Sequence, residues 1–298
     1  MEMHQLRYVV AVARAGNFSR AADQCHVSQP SLSQQIQKLE EELGERLFDR
    51  TKREARLTSH GESFLPRAIR ILAEVDAAKR EATDSRQLLR GTLSIGVLPT
   101  IAPFLLPKIL AEFTKTFPGV EVVVQEDTTA HLLKLVLGCE IDFALASQPI
   151  SDSRLEVREL FSEELLLSLP PGHPLTRKRV IPASDLENQP FILMKEGHCL
   201  GDQVLRFCER RDLRPTITFR SAQLETVQAL ISAGLGLSLI PAMAAAHKRS
   251  GQSEYRSLAL PKPSRRIVAV WLKPRPPGRA GEAFLRMVEK WGKAARVP

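Results

Sequence analysis

The spacing of apolar residues changes at Gly91, and that change separates a helical first part from a part that alternates strands and helices. Before Gly91, Leu6, Val9, Val10, Val12 and Ala13 recur at helical spacing, and Gly16 ends the run. Ser19 is placed to cap a short helix holding Ala21, Ala22 and Cys25. After a turn through His26 and Val27, Ser28 can cap a longer helix that tolerates Pro30 in its first turn. Leu32, Ile36, Leu39 and Leu43 form its single apolar stripe, and Gly44 closes it. Leu47 and Phe48, a charged turn from Asp49 to Glu54, and Arg56 with Leu57 then read as a two-stranded wing. Two short helices joined by a tight turn, followed by a wing, spell a winged helix-turn-helix over residues 1–58.

From Thr58 to about Leu89 runs one long amphipathic segment whose apolar positions include Phe64, Leu65, Ala68, Leu72, Val75 and Ala78. Nothing local in the sequence covers this stripe, so residues 59–90 are expected to pair with a partner helix. Pro66 is expected to kink it, because proline lacks a backbone donor. Beyond Gly91, strands are expected around Leu93–Val97, Glu121–Gln125, Ile141–Ala146, Leu165–Leu169, Phe191–Met194, Thr216–Phe219, Leu237–Ile240 and Ile267–Leu272. Helices are expected around Leu105–Phe117, Thr129–Leu137, Asp202–Arg211, Gln223–Ala233 and Ala280–Ala295. The overall class is α/β, with residues 91–298 forming two α/β lobes around a cleft where a ligand would bind.

Net charge alone does not establish a partner. The chain carries +8, yet residues 1–90 hold 15 basic against 13 acidic side chains, and residues 91–247 hold 14 against 18. The excess lies in residues 248–298, with 13 against 3, so DNA binding has to be argued from a motif. On the second helix of the helix-turn-helix, Gln29, Ser31, Ser33, Gln34, Gln37 and Lys38 face away from the leucines. Uncharged hydrogen-bonding side chains suit base edges, whereas Lys and Arg hold phosphates. Such a face is equally often merely solvated, but the preceding helix and a wing with Arg50, Lys52, Arg53 and Arg56 make the constellation specific.

Those residues carry a resemblance. "NFSRAADQCHVSQPSLSQQIQKLEEELGERLFDR" and "RLTSHGESFL" resemble the DNA-binding region of LysR-type transcriptional regulators. "GTLSIGVLPTIAPFLLPKILAEFTKTFPGVEV", "PPGHPL" and "ETVQALISAGLGLSLIP" are similar to the effector domain of that family, so the likeness covers nearly the whole chain. The resemblance implies a periplasmic-binding-protein-like effector fold, a dimerising linker helix and homotetramers that bridge two promoter sites on double-stranded DNA. It also implies that Gln29, Pro30, Ser33 and Gln34 touch bases or groove, with Arg50 and Arg53 on phosphates.

Within that family, "EGHCLGDQVLRFC" resembles the peroxide-sensing, OxyR-type branch, which implies Cys199 and Cys208 as a redox pair. If their segment is helical, nine residues at about 1.5 Å each set the Cα atoms about 13 Å apart, against roughly 4.4–6.8 Å for a disulfide. The bond would therefore demand that the helix unwind, which makes the pair a switch. Cys199, near a helix N-terminus beside His198, is expected to favour the reactive thiolate, and Cys208, at core spacing, to be an inert resolving thiol. The resemblance further implies a pocket of Thr100, Thr129, His198 and Arg266. The plainer readings are that the cysteines are small buried residues, that Thr129 caps its helix and that Arg266 belongs to the basic tail. Gly201 stands where a member of the branch carries a basic residue, which would weaken support for a thiolate.

Other classes fit less well. A secreted solute-binding protein would share the two lobes but needs a secretion signal and no helix-turn-helix. No C-x-x-C or H-x-x-x-H spacing supports a metal, and no nucleophile–base motif or phosphate loop supports an enzyme, so neither metal nor cofactor is expected. The serious rival is a regulator of the same type that binds a small organic effector in the cleft. Expected partners are thus DNA, further copies of the chain, RNA polymerase, and hydrogen peroxide or a small effector. With four cysteines, no leader pattern and no membrane-length apolar run, a cytoplasmic location is expected.

Overall fold

The computed structural model describes residues 1–49, 55–83, 90–247 and 253–294. Arg50, Arg53 and the end of the amphipathic segment lie outside the described residues. The chain forms two compact units, Met1–Gln87 and Leu88–Pro298.

In the first unit, α1 (Met3–Ala15), α2 (Phe18–Gln24) and α3 (Gln29–Leu43) precede the strands β1 (Phe48–Asp49) and β2 (Arg56–Leu57) and the helix α4 (Ser59–Thr83). Gly16 and Gly44 end α1 and α3 in the left-handed conformation, at φ of 63° and 72°, which costs glycine no Cβ clash. Ser28 caps α3 as expected, accepting from the Ser31 N–H at 3.4 Å. The cap of α2 is a correction. Asn17, not Ser19, sits outside the first turn and accepts from the Ser19 and Arg20 N–H groups at 2.8 and 3.1 Å.

Leu6, Val9, Ala21, Leu32, Ile36, Leu39 and Phe48 make the core of this unit. Glu40 is buried on the inner side of α3, and its Oε1 accepts from the Leu47 and Phe48 N–H groups at 2.8 and 3.1 Å. The wing is thereby tied to the helix before it. A second correction concerns α4, a helix that includes Pro66, and the partner expected for it. Its apolar stripe is not uncovered, because α1 packs on its first half, burying Ala68 and half-burying Phe64, Leu65 and Leu72.

The second unit begins with β3 (Gly91–Val97), α5 (Ala102–Thr116), β4 (Val120–Glu126), α6 (Thr129–Leu137) and β5 (Phe143–Ser147). β3 pairs in parallel with both β4 and β5. β6 (Leu155–Leu169) then crosses to β7 (Pro190–Met194), α7 (Cys199–Glu209), β8 (Thr216–Ser221), α8 (Leu224–Ser232), β9 (Ser238–Pro241) and the short α9 (Ala242–Ala245). β10 (Glu254–Arg256), β11 (Ser264–Leu272) and α10 (Arg279–Ala294) follow.

β6 is a 15-residue strand shared by both lobes: Leu155 to Glu164 pair with β11, and Leu165 to Leu169 pair with β9 and β10. An apolar run marks only its second half, because the first half carries Glu156, Arg158 and Glu159 between its buried ends Leu155 and Leu160. β11 returns along β6 to β5. The end of β5 meets α7, where Gln203 reaches Ser147.

Candidate redox site and nucleic-acid surface

Cys199 is the first residue of α7, after His198 in extended backbone, and Cys208 lies in its last turn. Both are free thiols on one helix. Leu200, Val204, Phe207 and Cys208 face the core, while Cys199 is partly buried at its margin.

Burial pushes the Cys199 thiol above its ordinary pKa; Arg265 and a hydrogen bond with Thr129 oppose this, and Asp202 adds to it. The expectation that helix terminus and imidazole make a resting thiolate is therefore corrected. His198 is itself pushed toward the neutral form, first by burial and then by Lys195, so it brings no cationic help. Cys208 is raised to about 11 by burial and by Glu209, with Arg211 pulling the other way.

Thr129 does not cap its helix, since Thr128 holds that position. The Thr129 hydroxyl is buried with no hydrogen-bond partner beyond its interaction with the thiol among the described residues. Thr100, in the turn between β3 and α5, is 2% exposed, and it meets an arginine of β11. That arginine is Arg265. Its Nη1 donates to Thr100 Oγ1 at 2.8 Å, its Nη2 to the Thr100 carbonyl at 3.0 Å, and its Nε to Glu163 Oε1 at 2.8 Å.

Arg266, expected in the pocket, is on the other face. Its side chain is 60% exposed and lies 3.8 Å from Glu159. The reason is the two-residue period of a strand, which sends neighbouring side chains to opposite sides. The structure thus brings together Thr100, Thr129, His198, Cys199 and Arg265.

Sequence reasoning missed two further residues, Gln203 and Glu163. Gln203, one helical turn after Cys199, reaches across from α7 to the end of β5, where its Nε2 donates to Ser147 Oγ at 2.8 Å and to the Gln148 carbonyl at 3.0 Å. The i, i+4 spacing from Cys199 was the available signal. Glu163, on β6, carried no local signal at all. Gly201 is buried against β7, where a Cβ would stand 2.7 Å from the Met194 carbonyl oxygen, so a side chain there would shift α7 or β7.

On the first unit, Gln29, Pro30 and Gln34 are exposed on α3 and Ser33 is half-buried, all on the side away from Leu32, Ile36 and Leu39. Gln37 is turned along the helix, its Nε2 donating to Glu41 at 3.0 Å. Among the described residues no helix is long and apolar enough to cross a membrane, and no group of three or more His, Cys, Asp or Glu could hold a metal ion.

Two family models match the chain. Residues 3–62 match the bacterial regulatory helix-turn-helix proteins of the lysR family, and residues 86–293 match the LysR substrate binding domain. The DNA-binding transcriptional dual regulator OxyR of Escherichia coli K12 is 37% identical over 273 residues, covering 91% of this chain and 89% of the relative. A full-length OxyR variant from Pseudomonas aeruginosa, 32% identical, superposes with a TM-score of 0.83 over 97% of this chain and 94% of its own. Full-length CbnR in complex with its target DNA, 25% identical, gives a TM-score of 0.68 over 98% of this chain and 100% of that one. The chain belongs to the LysR-type transcriptional regulators, DNA-binding proteins that are not enzymes and among whose members it is similar to OxyR.

Proposed function

We propose that this regulator senses hydrogen peroxide through Cys199 and Cys208. The observation that carries the reading is that both cysteines lie on one helix, their Cα atoms about 13 Å apart at helical rise, with Cys199 against Thr129 and near Arg265. The Cys199 thiol loses its proton and attacks one peroxide oxygen. The O–O bond breaks, sulfur is oxidised to a sulfenic acid, and the other oxygen leaves as hydroxide, which takes up a proton as water. Hydroxyl and guanidinium donors stabilise that departing oxyanion. Cys208 then displaces water from the sulfenic acid to form the disulfide, which α7 can accommodate only by unwinding.

DNA reading rests on Gln29, Pro30, Ser33 and Gln34 at base edges and groove, with Arg50 and Arg53 on phosphates. The working assembly in this reading is a cytoplasmic homotetramer at promoter sites, with RNA polymerase as a further partner. A small organic effector in the crevice is the second reading, favoured by the Gln203 Oε1, which is buried without a hydrogen-bond partner among the described residues. Mapping Cys199 and Cys208 by mass spectrometry before and after mild peroxide, with a DNA footprint of each sample, tests the first reading. Cys199→Ser should abolish the response, and Cys208→Ser should leave a longer-lived sulfenic acid. Identical footprints for wild type and Cys199→Ser across a peroxide titration would favour the second.

A further inference from the structure

We propose that Glu163 is a positioning residue for Cys199: it grips one edge of the Arg265 guanidinium and supplies its counter-charge, and so sets how strongly Arg265 acts on the thiol. The Arg265 side chain is wholly buried, and that of Glu163 is 8% exposed. Oε1 of Glu163 accepts from Arg265 Nε at 2.8 Å, while Oε2 accepts from the Met243 N–H of α9 at 3.0 Å. The carboxylate is therefore held at both oxygens and cannot swing away.

An arginine has five N–H donors. One goes to Glu163 and two to Thr100, which leaves two for other acceptors. A buried guanidinium with a carboxylate at 2.8 Å is largely neutralised as seen by a third group, because the two charges oppose one another. Glu163 thus determines both where Arg265 points and how much of its charge reaches Cys199.

The other groups facing the thiol are Thr129 from α6, and Asp202 and the Leu200 N–H from α7 itself. Neighbouring His198 is flanked by Lys195 and Asp127. None of these touches Glu163, so a change there is transmitted through Arg265. The inference deepens the peroxide reading and rests on it for its biological meaning, though not for its test.

The test is the pH dependence of Cys199 alkylation by iodoacetamide in the full chain, read at that residue by mass spectrometry. In Glu163→Gln the one amide oxygen can accept from Arg265 Nε or from the Met243 N–H but not from both, and the charge is gone. The alkylation midpoint should fall by about one pH unit, which is about tenfold more thiolate at a fixed pH below it. Made in an Arg265→Gln background, the same substitution should move the midpoint by less than about a third of that. A raised or unchanged midpoint in Glu163→Gln, or equal shifts in the two backgrounds, overturns the proposal.

Should Glu163→Gln fail to accumulate as folded protein, Glu163→Asp keeps the charge but withdraws it from Nε. Its midpoint should fall by about half a unit, and the absence of any fall again overturns the proposal. Alkylation needs no peroxide. If the Glu163 substitutions shift the midpoint but the wild-type chain never forms the Cys199–Cys208 bond with peroxide, the sensing reading alone is defeated, and the opposite result defeats this inference alone.

Discussion

Arg265 holds Thr100 twice, through the hydroxyl at 2.8 Å and through the backbone carbonyl at 3.0 Å, and so joins β11 to the turn that follows β3. Its neighbour Arg266 makes no such link, and the contrast gives a paired measurement. Arg265→Gln leaves buried Glu163 without its cation and should cost about 3–5 kcal/mol in denaturant unfolding of the effector unit. Arg266→Gln removes an exposed pair and should cost about 0–1 kcal/mol. Equal losses would mean that the two side chains share one environment.

The Cys199 thiol is raised by burial, with Arg265 and Thr129 only partly offsetting it. Its folded-state thiolate is therefore scarce at neutral pH and grows as pH rises. Peroxide oxidation at Cys199 should accelerate about tenfold per pH unit between about pH 6.5 and about pH 8.5. Stopped-flow rates that are flat across this window would indicate a thiolate already formed.

Cys208 makes a stability prediction. Its thiol is raised from 9.0 to about 11 in the folded chain, so the folded state holds its proton more tightly than the unfolded state. Its contribution is complete below the unfolded value and is lost as pH climbs from there through the folded value. Wild type should lose about 1 kcal/mol between about pH 8 and about pH 10 that Cys208→Ala does not lose. Urea titrations of the two proteins at both pH values decide it.

Gly201 lies under the Met194 carbonyl, with 2.7 Å available to a Cβ. Gly201→Ala must displace either α7 or β7 and should destabilise the effector unit by about 1–3 kcal/mol, despite the better helix propensity of alanine. A thermal melt that rises instead would show that α7 has room to move.

For DNA, Gln34→Ala should relax base preference at one position of the site by about 1–3 kcal/mol of discrimination. Arg53→Ala should weaken binding to every probe and lower the salt slope by about one. Gel-shift titrations at several salt concentrations separate the two, and equal effects on all probes would count against the assignment of α3 as the reading helix.

The local pattern of the chain was enough for much of the architecture. Ser28, Gly16 and Gly44 announce the ends of α1 and α3, the stripe of Leu32, Ile36 and Leu39 sets which face of α3 is buried, and the strand–helix alternation after Gly91 announces the α/β unit. Helix caps and apolar periods act over a few residues, so they can be read along the chain. The helix carrying Cys208 was legible from Asp202 onward, whereas its start at Cys199 is a finding of the structure.

What the chain alone did not reveal depends on contacts between distant segments. Arg265 and Arg266 are indistinguishable as letters, and only the register of β11 against β5 and β6 decides which one is buried. Glu163 meets Arg265 across 102 positions and Thr100 meets it across 165. The charge state of Cys199 was misjudged because a helix terminus and an imidazole suggest a thiolate, whereas burial, which raises the thiol, is a property of the packed fold. Desolvation and opposing charge act through space, and their outcome at Cys199 was decided only when tertiary structure brought α6, α7 and β11 together.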